Sequence, residues 1–314
     1  MNDRSYRLAT CAGAAGEPRP GIVIDERVVD VSDVLGAPGA TVLSLLQGWQ
    51  EAHPRLQDIA KRASHGEFAA SAIPLTDARL LAPVLYPGNI FCAGANYRDH
   101  VAEMTKAMNL ALEANPKERG WDPWHFIKAS VPCVRGTNSQ IALPVYSKKV
   151  DWEAEIAIVM GRECRNVGVA DALAHVAGLT IANDLSLRDH LRREGVPVES
   201  PFRFDWLSAK SFDGSMPLGP WICPLDEIAD PGNLAIKLWL NDELMQDSTS
   251  ANLIFSMAEQ IAYLSTRMTL RPGDVIATGT PAGVGAARGR FLKPGDRIRI
   301  WVENIGELTN DFTN

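Results

Sequence analysis

What the chain lacks narrows its function before any motif is considered. No apolar run approaches the roughly 20 residues that cross a bilayer, so no membrane partner is expected. The five cysteines (Cys11, Cys92, Cys133, Cys164 and Cys223) never form a Cys-x-x-Cys pair, which disfavours both zinc and a disulfide framework. They are expected as small buried hydrophobes. Cys92, inside the apolar run Asn89-Ile-Phe-Cys-Ala-Gly, has no sequence neighbour that would lower its pKa, so a nucleophilic role is disfavoured. Excess positive charge is missing too. A net charge of -7 and a pI near 5.4 argue against nucleic acid and leave small molecules as partners. No internal repeat, heptad or low-complexity segment supports a solenoid or coiled coil. The charged start Met1-Asn-Asp-Arg-Ser-Tyr-Arg is followed by no continuous apolar stretch, so the expected location is cytoplasmic.

What is present describes a well-packed globular chain. Its 314 residues, 46% hydrophobic and 22% charged, suffice for one large domain with a small companion. Residues 1–75 read as a small amino-terminal α+β unit, with strand-like segments at Tyr6–Cys11 and Gly21–Val31, the latter broken by a turn near Asp25-Glu26. A helical stretch runs from about Thr41 to Ala63, and Pro54 should kink or divide it. Ser64–Asp77 reads as a linker into Leu80–Val84.

Residues 76–314 read as a β-rich domain. Alternating strands are expected at Glu155–Gly161, Gly178–Asp184, Leu234–Leu240, Val275–Thr278 and Arg297–Val302, and Pro-Gly-Asp turns at Pro272–Asp274 and Pro294–Asp296 feed the last two. Helices at about Tyr97–Ala114, Val169–Ala172, Leu187–Glu194 and Ser256–Ser265 are too few for a doubly wound sheet. The class is therefore α+β and β-rich, a mixed β-roll.

The segment Lys148-Lys-Val-Asp-Trp-Glu-Ala-Glu-Ile-Ala-Ile-Val puts Glu153 and Glu155 on one strand face, about 7 Å apart along the backbone and able to converge on one cation. That face continues with Ala157 and Val159, so the acids stand where the strand enters apolar surroundings and must be paired, protonated or metal-bound. A wet strand face is the competing reading. Some thirty residues on, the apolar strand Gly178-Leu-Thr-Ile-Ala-Asn-Asp ends at Asp184, which serves either as a third ligand or as the N-cap of a helix over Leu185–Arg188. Two Glu and one Asp form an oxygen-only set suited to Mg²⁺ or Mn²⁺.

Two other segments carry polar groups in apolar settings. His100 and Glu103 fall at i and i+3 of a helix, either as a base and its orienting carboxylate or as a solvated pair. Lys210 sits in Trp206-Leu-Ser-Ala-Lys-Ser-Phe-Asp, facing an anion or solvent.

Taken in order, Ala95-Asn-Tyr-Arg-Asp-His-Val-Ala-Glu-Met, Asp151-Trp-Glu-Ala-Glu-Ile-Ala, Ala182-Asn-Asp-Leu-Ser-Leu-Arg-Asp, Ala209-Lys-Ser-Phe-Asp, Gly273-Asp-Val-Ile-Ala-Thr-Gly-Thr-Pro-Ala-Gly-Val-Gly and Ile305-Gly-Glu-Leu-Thr-Asn resemble the fumarylacetoacetate hydrolase family from about Asn89 to the carboxy terminus. The resemblance implies a β-roll catalytic domain, commonly homodimeric, with Mg²⁺ or Mn²⁺ on Glu153, Glu155 and Asp184. It implies a mobile lid at about 96–127, carrying His100 as water-activating base and Glu103 as its partner. Lys210 is implied as the oxyanion stabiliser, and Lys128, Arg188 and Thr280 as substrate contacts. Trp121, Trp124 and Phe126 would form an aromatic cover or pack the lid to the body. The implied reaction is hydrolytic carbon–carbon cleavage of a 2,4-dioxo acid of the acylpyruvate type to pyruvate and a carboxylic acid. Isomerisation of a 2-oxo-enoate or decarboxylation of a 2-oxo diacid is the alternative. One position departs from the family pattern: the Gln that many members carry three residues after this Arg is Leu191 here, which cannot orient a water.

Overall fold

The structure, a computed structural model, describes residues 5–108, 113 and 115–314. Its largest sheet holds eleven strands among these residues. Across it run Ile73–Pro74, Arg27–Asp30, Pro18–Ile24, Arg7–Ala12, Met216–Pro224, Val176–Asn183, Ala154–Met160, Val275–Ala277, Ile90–Ala93 and His125–Lys128, with Val134–Arg135 paired on Met216–Pro224. A five-stranded sheet, Glu243–Thr249, Ala235–Leu240, Arg297–Val302, Gly306–Thr313 and Gln140–Ala142, packs against it. A two-stranded ribbon pairs Ser186–Leu187 with Val150–Asp151. Antiparallel and parallel pairs mix, and helices are few, as the mixed β-roll reading requires.

The central strands are apolar on both faces because both faces are covered. Every residue of Ala154–Met160 and of Val176–Asn183 is buried. Ile156, Ile158 and Met160 point into the core shared with Leu238, Ile300 and Phe312 of the second sheet. Val159 points the other way, with Ala177 and Ile222, onto Leu46, Trp49, Leu56 and Ile59 of the amino-terminal helices. Those helices begin well. Thr41 caps Val42–Gln47 in a reciprocal capping box with Ser44, and Ser256 caps Met257–Arg267 in one with Glu259.

The Pro-Gly-Asp turns form as expected, and the side chains show why. Gly273 takes φ +85°, a conformation that strains any side chain. Asp274 closes its turn by accepting from Arg271 N at 2.8 Å and holds Asn89 N at 2.8 Å, joining two neighbouring strands at their starts.

Three local expectations are corrected. The expected break in the first long helical stretch comes at Gly48, between Val42–Gln47 and Trp49–Ser64, whereas Pro54 lies within the second helix. Near a helix start the proline removes a single ladder donor, which the flanking turns tolerate. Ser64–Asp77 is more than a linker, since Ile73–Pro74 adds an edge strand to Arg27–Asp30, where a proline costs no ladder bond. Leu80–Val84 contributes only an isolated bridge from Leu80 to Cys11. Leu187–Glu194 is not a helix. Ser186 and Leu187 pair with Val150–Asp151 instead, and Asp189 is taken up by Ser147 Oγ at 2.6 Å and Lys148 N at 2.8 Å, partners that local periodicity does not reveal. The helix expected over Tyr97–Ala114 is described over Arg98–Met108, and its continuation through 109–112 and 114 lies outside the described residues. Among the described residues no helix is long and apolar enough to cross a membrane.

Leu179 sits fully buried at the centre of the large sheet. Leu179→Ala is expected to lower unfolding free energy by about 2–5 kcal/mol, read as a lower denaturation midpoint at unchanged m-value.

Candidate metal centre and active site

Strand register assembles the acidic cluster. Ala154 pairs with Asn183 and Glu155 with Ala182, which carries Glu153 and Asp184 to adjacent strand ends, where Asp184 N donates to Glu153 O at 2.9 Å. Glu153, Glu155 and Asp184 are all buried, and each offers a carboxylate oxygen within 4.8 Å of the other two. The wet-face reading of the acid pair therefore fails. So does the N-cap reading of Asp184, since no helix follows it.

Cations hold the cluster together. Lys210, at the end of the short helix Trp206–Lys210, bridges Glu153 Oε2 at 2.8 Å and Asp184 Oδ2 at 2.7 Å. Lys128, from the strand His125–Lys128, reaches Asp184 Oδ1 at 2.5 Å and Leu185 O at 2.9 Å with no exposed surface of its own. Arg188 forks between Asp151 Oδ2 at 2.7 Å and Glu153 Oε1 at 2.6 Å. Burial works against charge on Glu153, but Lys210 and Arg188 outweigh it and hold the carboxyl well below the usual range. Burial likewise opposes charge on Lys210, and Asp184 with Glu153 raises it well above an ordinary lysine.

Glu155 is the exception. Its Oε2 accepts from Gly279 N at 2.7 Å, and among the described residues no lysine or arginine pairs with it. Burial, then the charges of Asp184 and Glu153, push its carboxyl well above the ordinary range. A buried acid in that position needs a proton or a cation. Three converging oxygens, one of them lacking a counter-charge, fit a hard oxygen-seeking divalent ion such as Mg²⁺ or Mn²⁺.

A cavity of about 150 Å³ opens over the cluster. Glu153, Glu155, Arg188, Lys210, Thr280 and His100 contribute polar atoms, while Leu191, Trp124, Phe126 and Trp206 form an apolar wall. Two of the three aromatics anticipated as a cover belong to that wall: Trp124 meets Trp206 edge-on at 5.2 Å, and Phe126 stacks on Trp206 at 5.4 Å. Trp121 is 57% exposed and takes no part in it. Lys210 Nζ sits 4.8 Å from the Phe126 ring centroid.

His100 lies on the helix Arg98–Met108 and faces the cavity. Its Nδ1 is buried without a hydrogen-bond partner among the described residues, 3.9 Å from Glu103 Oε2, an ion-pair separation too long for a hydrogen bond. Glu103 Oε2 accepts instead from Gly283 N at 2.9 Å. Burial opposes its charge, yet His100 and that N–H bring its pKa below the ordinary value. Arg188 and Thr280 line the cavity with side chains already engaged. The Thr280 hydroxyl donates to Ala154 O at 2.9 Å and accepts from Gln246 Nε2 at 2.9 Å.

The carboxy-terminal domain model of fumarylacetoacetate (FAA) hydrolase matches residues 89–313. The chain belongs to the fumarylacetoacetate hydrolase family. Across 298 residues it is 36% identical to a Rattus norvegicus protein named oxaloacetate tautomerase Fahd2a, mitochondrial, covering 94% of this chain and 87% of that one. Among solved structures, maleylpyruvate hydrolase from Sphingobium sp. SYK-6, in complex with manganese (II) ion and pyruvate, is 30% identical with a TM-score of 0.71, covering 98% of both chains. The 2-hydroxyhepta-2,4-diene-1,7-dioate isomerase from Mycobacterium marinum is 28% identical with a TM-score of 0.71, again covering 98% of both. The family platform thus carries tautomerase, hydrolase and isomerase names.

Several residues of the site escaped sequence reasoning. Asp151 shares the alternating face of Glu153 and Glu155, a signal that was available. Gln246 accepts from Ala154 N at 3.0 Å and steadies Thr280, but its strand carries no pattern that singles it out. Asn96 fastens the foot of the His100 helix, donating to Phe255 O at 3.0 Å and Thr278 O at 2.8 Å. His125 is largely buried, with Nδ1 unpartnered and Nε2 3.4 Å from Gln260 Oε1.

Two outcomes follow for this site. Mn²⁺ is expected to raise the thermal midpoint of the wild type, and Glu155→Gln, which keeps the shape but removes a ligand charge, is expected to abolish that rise; a full Mn²⁺ shift in the variant would contradict the ligand assignment. The second concerns His125, where burial depresses the pKa from 6.5 to about 4 against a smaller opposing effect of Gln260. Because the folded value lies below the unfolded one, stability present above pH 6.5 is lost as pH falls through about 4. The loss is roughly 3 kcal/mol, and His125→Gln should flatten that part of the stability–pH curve.

Proposed function

We propose that the protein is a divalent-cation-dependent enzyme that interconverts the enol and keto forms of a small 2-oxo diacid of the oxaloacetate type. The carrying observation is the cavity. At about 150 Å³ it matches a ligand of benzene size, and its wall has Leu191 where many family members carry an amide able to hold a water. A short substrate and a reaction without water suit both features, and the identity to a mitochondrial oxaloacetate tautomerase supports the same reading.

Keto–enol exchange takes a proton from C3 and delivers one to the oxygen on C2, so the site needs a proton carrier beside carbon and positive charge beside oxygen. A divalent cation held by Glu153, Glu155 and Asp184 would supply Lewis-acid stabilisation of that oxygen when bound. His100 is the proton carrier: it removes the C3 proton in one direction and returns it in the other. Glu103, 3.9 Å away, offsets the positive charge that the imidazole gains with the proton. Lys210, poised between Glu153 and Asp184, donates to the substrate's oxygens, and Lys128 holds Asp184 in place. Leu191, Trp124, Phe126 and Trp206 exclude water that would otherwise exchange with the enol.

The His100–Glu103 pair favours a second reading, hydrolysis of an acylpyruvate. His100 would then activate water for attack on the 4-carbonyl, and Lys210 would stabilise the resulting oxyanion. One experiment separates the two. Enol-oxaloacetate and a panel of acylpyruvates are mixed with the protein plus Mg²⁺, Mn²⁺ or EDTA, following the enol ultraviolet band and identifying products. The expected outcome is metal-dependent loss of the oxaloacetate enol band with neither CO₂ nor pyruvate released, slowed on the order of 10²–10⁴-fold by His100→Ala. Release of pyruvate and a carboxylic acid from an acylpyruvate, with oxaloacetate unaffected, would establish the hydrolase instead.

A further inference from the structure

Asp151 has no exposed surface and lies outside the cavity wall, yet both its oxygens are saturated by four directed donors. Oδ1 accepts from Trp152 N at 2.8 Å and Gly285 N at 2.6 Å; Oδ2 accepts from Ala286 N at 3.0 Å and Arg188 Nε at 2.7 Å. The same guanidinium donates through Nη2 to Glu153 Oε1 at 2.6 Å. On its other side, Asp151 grips the start of the short helix Gly285–Arg288, which follows Gly283, whose N–H holds Glu103 of the His100 helix at 2.9 Å and whose carbonyl accepts from Trp152 Nε1 at 3.1 Å. Position 285 has no room to adjust, because a Cβ there would lie 2.0 Å from Arg290 O and 2.7 Å from Asp151 Oδ1.

We infer that Asp151 is a positioning residue that couples the lid to the metal site: the segment from Gly283 into the short helix Gly285–Arg288 transmits Glu103 docking to Asp151, and Arg188 transmits it to Glu153. The inference rests on Glu153 being a metal ligand. With the His100 helix docked, Gly283 is fixed by Glu103, the segment presents Gly285 N and Ala286 N squarely to Asp151, and Arg188 is held so that Glu153 keeps its orientation. When Glu103 releases Gly283, the segment loses one anchor, and Asp151 and Arg188 lose part of the frame that aims Glu153 into the cluster. Linkage works both ways, so a cation that orders Glu153 favours the docked lid.

Asp151→Asn tests this directly, since all four partners are donors and an amide NH₂ in place of either oxygen sets donor against donor. Mn²⁺ dissociation constants are measured by titration calorimetry for the wild type, Asp151→Asn, Glu103→Gln and the double variant, with far-UV circular dichroism to verify folding. Asp151→Asn is expected to weaken Mn²⁺ binding about 10- to 100-fold. Glu103→Gln is expected to weaken it in the wild-type background and to add nothing once Asp151 is replaced. A purely structural Asp151 would lower the thermal midpoint without that non-additivity. An Asp151→Asn protein binding Mn²⁺ within about twofold of wild type, or strictly additive effects, overturns the coupling. Should Asp151→Asn fail to fold, Arg188→Lys carries the test, because it breaks the fork but leaves Asp151 its three backbone donors; unchanged Mn²⁺ affinity there overturns the inference as well. A wild type that binds no Mn²⁺ would instead refute the metal reading of the site, a result distinct from either.

Discussion

Repulsion among buried carboxylates is the constraint around which this protein is organised. Asp151, Glu153, Glu155 and Asp184 lie within a few residues of one another in space with almost no access to water, and three cations, Lys128, Lys210 and Arg188, stand against their four charges. Such a cluster is costly unless each charge is compensated. Among the described residues, three of the acids have a cation within hydrogen-bond reach, while Glu155 has a backbone N–H and no such cation. The remaining negative charge is what suits the site to a divalent ion.

The β-roll serves that arrangement by supplying rigid strand ends. Glu153 precedes one fully buried strand and Asp184 follows its antiparallel neighbour, so their relative position is fixed by ladder hydrogen bonds and by packing on both faces. The cations come from elsewhere: Lys128 from the far edge of the sheet, Lys210 from a short capped helix, Arg188 from a turn. His100 comes on a helix tethered at its foot by Asn96 and along its length by Glu103. Rigid acids beneath a tethered imidazole form the platform on which the proposed proton transfer rests. Leu191 and the aromatic trio add an apolar wall to that polar floor.

Much of this was legible in the chain. Period-two alternation gave the central strands, Pro-Gly-Asp gave two turns, and the Glu-Ala-Glu spacing together with an acid at the next strand end gave the metal-ligand candidates, because each is written in contiguous residues whose backbone geometry is nearly fixed. The ordered motifs carried the family. Leu187–Glu194 misled because its helical composition is overridden by partners some forty positions away, Val150–Asp151 by pairing and Ser147 by hydrogen bonding to Asp189. Pro54 misled because its effect depends on its place in the helix, and that place was set by Gly48.

The sequence by itself determined the class of fold, the chemical character of the donors and the family, since residue type and local spacing suffice for those. Only the tertiary structure decided which cation answers which acid, that Glu155 is left without one among the described residues, that Glu103 docks on Gly283 while standing off from His100, and that Asp151 joins the helix start at Gly285 to Arg188. These are distance relations between residues far apart in the chain, and electrostatic energy depends on those distances and on burial, neither of which a linear pattern contains.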